Sequence, residues 1–317
     1  MNLPGWFWSG VASLRSPGAR YTRADLHRYR SLGIRGVRIP IDPELLAPAF
    51  PRLDDRIVDI LVKRIETCLD VGLTVIVDGH NGVPEPAAGG LSHRLQHDRA
   101  HRLAFGQFWE RLASRLARIS AEGLLLEPVN EPLFTEPDGT QAIWTDEIAP
   151  TLVQTIRSGA PDHTIVLAGP NAAATRHLHQ FDPAAVGDGN IVYSIHMYEP
   201  YAFTHQGASW ATTAFSTRQT VPYPGAPGAE SCVVEAELDR AIDWAAEQAV
   251  PMIVTEFGAY HAAPSPDRLA WTRAVRAHVE RRGVPWMAWT DRSGFGFERE
   301  DGSLDPEMLA ALGLSGH

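Results

Sequence analysis

Cysteine is nearly absent from these 317 residues: there are two, Cys68 in a helical pattern and Cys232 in a Pro/Gly-rich stretch. Two thiols without a Cys-x-x-Cys pair exclude a disulfide framework and a zinc-ribbon site. No apolar run approaches the ~18 residues that would mark a membrane-crossing helix. Positive charge is scarce, with 28 Lys and Arg against 38 Asp and Glu and no basic cluster. A formal charge of −10 argues against nucleic acid or an anionic membrane as partner. No G-x-G-x-x-G follows a strand candidate, and no phosphate-binding loop is present. The N-terminus has neither the basic region nor the apolar stretch of a signal peptide. It begins almost inside a strand-like segment, Leu3–Trp8. That start fits a secreted or periplasmic protein with its leader removed, with a cytoplasmic protein as the alternative.

Against these absences stands an ordinary globular composition, 44% hydrophobic and 21% charged, with nine Trp. Trp fills cores, and it also stacks on flat apolar ligand faces. Short apolar segments alternate with longer amphipathic ones. The strand candidates are Leu3–Trp8, Gly36–Pro40, Leu73–Asp78, Leu124–Val129, Thr164–Ala168, Ile191–His196, Met252–Glu256 and Val284–Thr290. Their Val/Ile content and shortness suit buried parallel strands. Between them, Thr22 and Asp54 read as helix caps, and Gly33 and Gly72 as stops. Further helices are expected over Leu103–Ile119, Gln141–Ser158, Val234–Gln248 and Pro266–Arg282, with a short one near Arg176–Phe181.

Eight strand–helix units predict one α/β domain over residues 1–317, a (β/α)8 TIM barrel. A doubly wound open sheet is the alternative, weakened by the missing nucleotide loop. The longest irregular stretch, Glu199–Ser231 after the sixth strand, is long enough to cover a binding site.

In such a barrel the chemistry lies at the C-terminal strand ends. Those ends carry Arg38; Asp78, Gly79, His80 and Asn81; Asn130 and Glu131; His196 and Tyr198; Glu256; and Trp286 and Trp289. Two carboxylates stand out, Glu131 after the fourth strand and Glu256 on the seventh. Glycosidic cleavage needs a carboxylic acid to protonate the leaving oxygen and a carboxylate on the other side. Carboxyl groups ~5–5.5 Å apart give retention through a covalent glycosyl-enzyme.

The ordered set Val37-Arg38-Ile39-Pro40, Asp78-Gly79-His80, Asn130-Glu131-Pro132, His196-Met197-Tyr198, Thr255-Glu256-Phe257-Gly258 and Trp286–Trp289 resembles glycoside hydrolase family 5, the cellulase-like enzymes. The resemblance covers nearly the whole chain. It implies Glu131 as acid/base, Glu256 as nucleophile, and Arg38 and Tyr198 as donors to Glu256. It further implies Asn130 on the sugar 2-hydroxyl, His196 beside the acid/base, His80 as a sugar contact and Trp289 as the aromatic floor. The implied activity is a retaining endo-β-1,4-glucanase acting on β-linked polysaccharide or oligosaccharide as a monomer, with no cofactor or metal. A β-mannanase, another β-glucanase or an oligosaccharide-directed β-glycosidase shares the same chemistry. The sequence departs from the family at Gly169–Ala174, which lacks a frequent aromatic, and at Asn81, where a second histidine is frequent.

Each signal has a plainer reading. Glu131 could be a helix-start acid and Glu256 a structural partner of Arg38. His80 and His196 could be core histidines, or metal ligands with Asp78, although the Asp-x-His order suits zinc poorly. Glu127, Glu136 and Glu199 read as loop or supporting acids. A binding protein that has lost catalysis is the alternative from another class.

Overall fold

A computed structural model describes residues 1–8, 18, 20–80, 90–134, 142–211, 220–223, 231–292, 294–299 and 301–315. Six parallel strands form one sheet among these residues: β1 (Gly36–Ile41), β2 (Thr74–Gly79), β3 (Leu124–Glu127), β4 (Thr164–Ala168), β5 (Ile191–Met197) and β6 (Met252–Phe257). They follow one another in the order β1-β2-β3-β4-β5-β6. Each is about as long as its apolar run, because a strand buried on both faces has no polar position to lengthen it.

Helices return the chain between strands, and their ends lie where cap residues put them. Thr22 and Asp25 form a reciprocal capping box ahead of the helix Arg23–Ser31. Asp54 accepts from the backbone N–H groups of Arg56 and Ile57 and starts the helix Asp55–Asp70. Gly72, at φ +82°, turns the chain back toward β2 at little steric cost. The helix expected over Gln141–Ser158 opens as a π-helix, Ile143–Ile148, before continuing as Ala149–Gly159. Near Arg176–Phe181 the chain forms a 3-10 turn, Thr175–Gln180. Position 232 lies within the helix Ser231–Glu247, rather than in the loop that Pro and Gly upstream suggested.

The first and eighth strand candidates pair only through isolated bridges, Asn2↔Arg38, Phe7↔Ile41 and Val254↔Trp286. Pro4, Gly5 and Pro285 explain this, because proline removes a ladder donor and Gly5 sits at φ +82°. Their backbone hydrogen bonds nevertheless reach both sides. Leu3 N donates to Arg38 O (2.9 Å), Met287 N to Val254 O (2.8 Å) and Asn2 N to Ala288 O (3.1 Å).

Two apolar layers result. The larger joins helices to the outer faces of the strands. The smaller contains Ile76, Val166, Ile253 and Met287, with Leu125 and Val192 packed against it. Two residues further along β2, β3 and β5, on the same pleat face, stand Asp78, Glu127 and Ser194. The sheet is therefore greasy on one side of the functional layer and polar at its C-terminal ends.

The long stretch 199–231 is described only in part. It opens with the short helix Tyr201–Thr204, and Gln206 holds Val221 through two hydrogen bonds. Asn81 and Glu136 lie outside the described residues.

Candidate active site

Arg38 organises the site. It projects from β1, is fully buried, and uses all three guanidinium nitrogens. Nη1 donates to Glu256 Oε1 (2.6 Å) and Asn2 Oδ1 (3.0 Å), Nη2 to Asn130 Oδ1 (2.7 Å) and Nε to Glu127 Oε2 (2.6 Å). Asp78 Oδ1 lies 3.1 Å from Nη2 as a further ion pair. Burial alone would lower the proton affinity of Arg38. The carboxylates of Asp78, Glu127 and Glu256 more than reverse that and lock the charge on.

Local backbone features aim the two outstanding acids. On β6, alternation places Ile253 in the inner apolar layer, so Thr255 would point the same way and Glu256 the other. A β-bulge intervenes: Ile195 pairs with Val254, but His196 pairs with Glu256. The extra residue resets the pleat and brings Glu256 to the face of His196. On the other side, Pro128 ends the β3 ladder, and pairing resumes when Asn130 N donates to Gly79 O (3.1 Å). A Cβ on Gly79 would meet the Pro128 carbonyl oxygen at 2.3 Å, so only glycine permits this approach. Glu131 follows directly.

Glu256 accepts from Tyr198 as well, whose hydroxyl donates to Oε2 (2.8 Å). With Arg38 on the other oxygen, both oxygens of Glu256 are held by donors. Glu131 contacts His196 Nδ1 (2.8 Å), and the same nitrogen lies 3.6 Å from Glu256. Glu131 keeps a side chain 36% exposed. Burial nonetheless raises its carboxyl above the usual range, against the pull of His80 and Arg38. One side-chain oxygen of Glu131, one of Glu256 and a ring nitrogen of His196 lie within 4.8 Å of one another. That trio could accept a cation, and it equally matches the carboxyl spacing of double displacement.

The remaining charges are balanced tightly. Asp78 and Glu127 are fully buried, and burial pushes both carboxyls up to about 7, with Arg38 opposing. His80 donates to or accepts from Asp78 across 2.6 Å. Burial lowers His80 and His196 to about 4, so both rings are neutral near neutral pH.

Aromatic rings border the polar cluster. His80 stacks on Trp289 (centroids 5.5 Å apart, 12° between planes), and Trp8 leans on His80 at 4.3 Å. On the other side His205 stacks on Tyr201 at 3.9 Å and meets Tyr198 edge-on at 4.9 Å. Trp6 and Trp144 are core, while Trp210 is 59% exposed.

All eight residues singled out from the sequence, Arg38, His80, Asn130, Glu131, His196, Tyr198, Glu256 and Trp289, are joined through these contacts. Four partners escaped that reading: Asn2, Ser194 beside Glu127, and Asp78 and Glu127 as ion-pair partners of Arg38. Glu127 reads as a loop or supporting acid, yet it is a buried strand residue bonded to Arg38. The available signal was its spacing, two residues after the inward Leu125 in an otherwise apolar run.

The sequence profile of the family described as "Cellulase (glycosyl hydrolase family 5)" matches residues 8–293. The chain belongs to glycoside hydrolase family 5. It is accordingly a glycoside hydrolase. Endoglucanase 3 of Fibrobacter succinogenes is 26% identical over 356 aligned positions, covering 99% of this chain and 52% of that protein. The chain thus spans about half the length of that relative. Thermotoga maritima Cel5A with cellobiose is 26% identical, with TM-score 0.79 over 93% of this chain and 91% of that one. The same enzyme with mannotriose gives 26% identity and TM-score 0.80 over 93% and 91%.

Proposed function

We propose that this family 5 glycoside hydrolase is a retaining endo-β-1,4-glucanase, with Glu256 as nucleophile and Glu131 as acid/base. The observation that carries the reading is the approach of a Glu131 oxygen to a Glu256 oxygen within 4.8 Å, with Arg38 and Tyr198 donating to Glu256. A nearest-oxygen approach within 4.8 Å favours retention, with carboxyl groups ~5–5.5 Å apart, over inversion at ~6.5–9.5 Å.

The two steps follow from the geometry. A Glu256 oxygen attacks the anomeric carbon while Glu131 transfers its proton to the departing glycosidic oxygen. The result is a glycosyl ester on Glu256 and a free alcohol. Glu131, now a carboxylate beside neutral His196, takes a proton from water as that water breaks the ester. Its raised proton affinity suits the first step, and loss of charge at Glu256 favours its ionisation for the second. Asn130 must turn its amide oxygen to Arg38, which has only donors, so its NH2 is left to meet a sugar hydroxyl. His80, Trp8 and Trp289 offer ring faces for a pyranose.

We read residues 1–317 as one catalytic domain, a barrel of eight strands in which segments 1–8 and 284–290 are the first and eighth. The hydrogen bonds from Asn2 to Ala288 and from Met287 to Val254 support that closure.

Glucan is favoured by the endoglucanase relative and the cellobiose complex. The mannotriose complex makes mannan the second reading. Product release from soluble β-1,4-glucan, mixed-linkage glucan and mannan, with Glu256→Gln as control, tests this. Glucan cleavage by wild type alone is expected. Mannan cleavage alone would overturn the glucan preference, and turnover by Glu256→Gln would overturn the nucleophile.

A further inference from the structure

We infer that Glu127 is a positioning residue for the double displacement, holding the Arg38 guanidinium in place and supplying its counter-charge while Glu256 is glycosylated. The inference rests on the assignment of Glu256 as nucleophile.

Arg38 reaches Glu256 with Nη1, so the fork's tilt decides whether that contact stays at 2.6 Å. A planar guanidinium can rotate about its own stem unless a group holds Nε. Glu127 Oε2 does so at 2.6 Å, from the end of β3. Register makes this possible: Arg38 pairs with Ile76, and Asp78, two residues further along β2 on the same face, pairs with Glu127, so the two acids stand side by side ahead of Arg38. The other Glu127 oxygen lies 3.4 Å from the Ser194 hydroxyl of β5. Glu127 is completely buried, and water cannot substitute for it.

Charge makes the same point. When Glu256 becomes an ester its negative charge is consumed, while Arg38 remains a cation inside the fold. A buried cation without a partner is costly. Glu127 and Asp78 remain beside it, as counter-charges once pH rises past about 7 and as polar partners below that, so Arg38 keeps partners in the covalent state. The charged or titratable groups facing Glu127 are Arg38 from β1, Asp78 from β2 and His196 from β5.

Glu127→Gln is the informative change. Gln keeps the shape, its carbonyl can still accept from Nε, and its amide can donate to Ser194, which itself can accept. What disappears is the negative charge that the Glu127 carboxyl takes up as pH rises through about 7. Arg38 then acts more strongly on Glu131 and favours its charged form.

The experiment measures kcat and KM for an aryl β-cellobioside from pH 4 to 9 in wild type, Glu127→Gln and Glu127→Asp. It also traps the covalent state of each with a 2-deoxy-2-fluoro aryl β-cellobioside and locates the label by mass spectrometry. In Glu127→Gln, kcat should fall roughly tenfold with KM within about threefold, as expected for loss of a contact strengthened along the reaction. The alkaline limb of its pH profile should move to lower pH by about half a unit or more, while the acid limb, where a carboxyl raised to about 7 is already neutral, should stay in place. Glu127→Asp, which keeps the charge, should hold the limbs in place. A folded Glu127→Gln with an unmoved alkaline limb, or Glu127→Asp displaced as far as Glu127→Gln, overturns the inference alone. Should Glu127→Gln not fold, displaced limbs in Glu127→Asp overturn it and unmoved limbs with lowered kcat support it. Wild-type labelling at a residue other than Glu256 overturns the nucleophile assignment and this inference with it.

Discussion

Arg38 and Glu256, 218 positions apart, meet across 2.6 Å at the centre of the site, with the guanidinium fully buried. That single contact ties β1 to β6 across the sheet and sets the orientation of the proposed nucleophile. It also explains why so many acids are tolerated in one buried layer. The guanidinium is shared among Asp78, Glu127 and Glu256, and burial holds part of the layer's charge back through protonation.

Arg38→Ala is therefore expected to destabilise the protein by ~3–5 kcal/mol, the usual cost of stranding buried charged partners. Arg38→Lys should fold better, yet lose about 100-fold or more in kcat/KM, because an ammonium cannot span Nε, Nη1 and Nη2 positions at once. Denaturant unfolding and initial rates measure the two effects. Wild-type turnover in the lysine variant would show that the planar fork is dispensable.

Glu131→Ala should act on leaving groups unequally. Substrates whose aglycone departs as a stable phenolate need no proton, so the first step survives, while alkyl glycosides should slow by a further factor of ~100 or more. A series of aryl cellobiosides and cellooligosaccharides provides the comparison. Equal losses across the series would remove Glu131 from the acid role.

His205 gives a pH test of stability. Burial lowers its proton affinity from 6.5 to about 4. Between these values the unfolded chain takes up a proton that the fold refuses, so this group's contribution to stability is lost as pH falls from about 6.5 toward 4. The slope is ~1.4 kcal/mol per pH unit for one proton. Asp78 and Glu127, raised to about 7, push the other way, since their burial costs more as pH rises from the ordinary carboxylate range to about 7. His205→Phe keeps a ring for the stack on Tyr201 and removes the histidine slope, together with a pH-independent contact to the Thr204 hydroxyl. Unfolding free energies at pH 4.5 and 6.5 should differ less by acid loss in the variant than in wild type. An identical acid loss in the two proteins would refute the burial argument.

Gly79→Ala should be more damaging than its size suggests. The added methyl carbon would sit 2.3 Å from the Pro128 carbonyl oxygen, and backbone must move to relieve it. Overpacking of this kind costs ~1–3 kcal/mol. Because Asn130 N donates to Gly79 O, the shift is passed to Asn130 and Glu131. Thermal unfolding and kcat should both fall, with kcat down at least about tenfold, on the scale of a reacting group misplaced by a fraction of an ångström. A variant with normal turnover would show that the close approach does not position Glu131.

Much of this was legible in the chain itself. Periodicity located β1 to β6 to within a residue or two at most ends, since buried parallel strands announce themselves as short Val/Ile/Leu runs. Cap residues such as Thr22 and Asp54 placed helix starts, because a cap is a local interaction between neighbours. The polar residues at strand ends pointed to the site, and motif order pointed to the family. The segments 1–8 and 284–290 were less legible, because Pro4, Gly5 and Pro285 break a ladder whose hydrogen bonds only the partner strands reveal.

Composition, local pattern and motif order thus determined a parallel α/β fold and the family, and pointed to Glu131 and Glu256 as the acids to watch. Only the tertiary structure decided that a bulge turns Glu256 toward His196, that Gly79 makes room for Pro128, and that Glu127 holds Arg38. Those are matters of register and distance between residues far apart in the chain. No property of a residue's own neighbours encodes them, and they are set when the strands align.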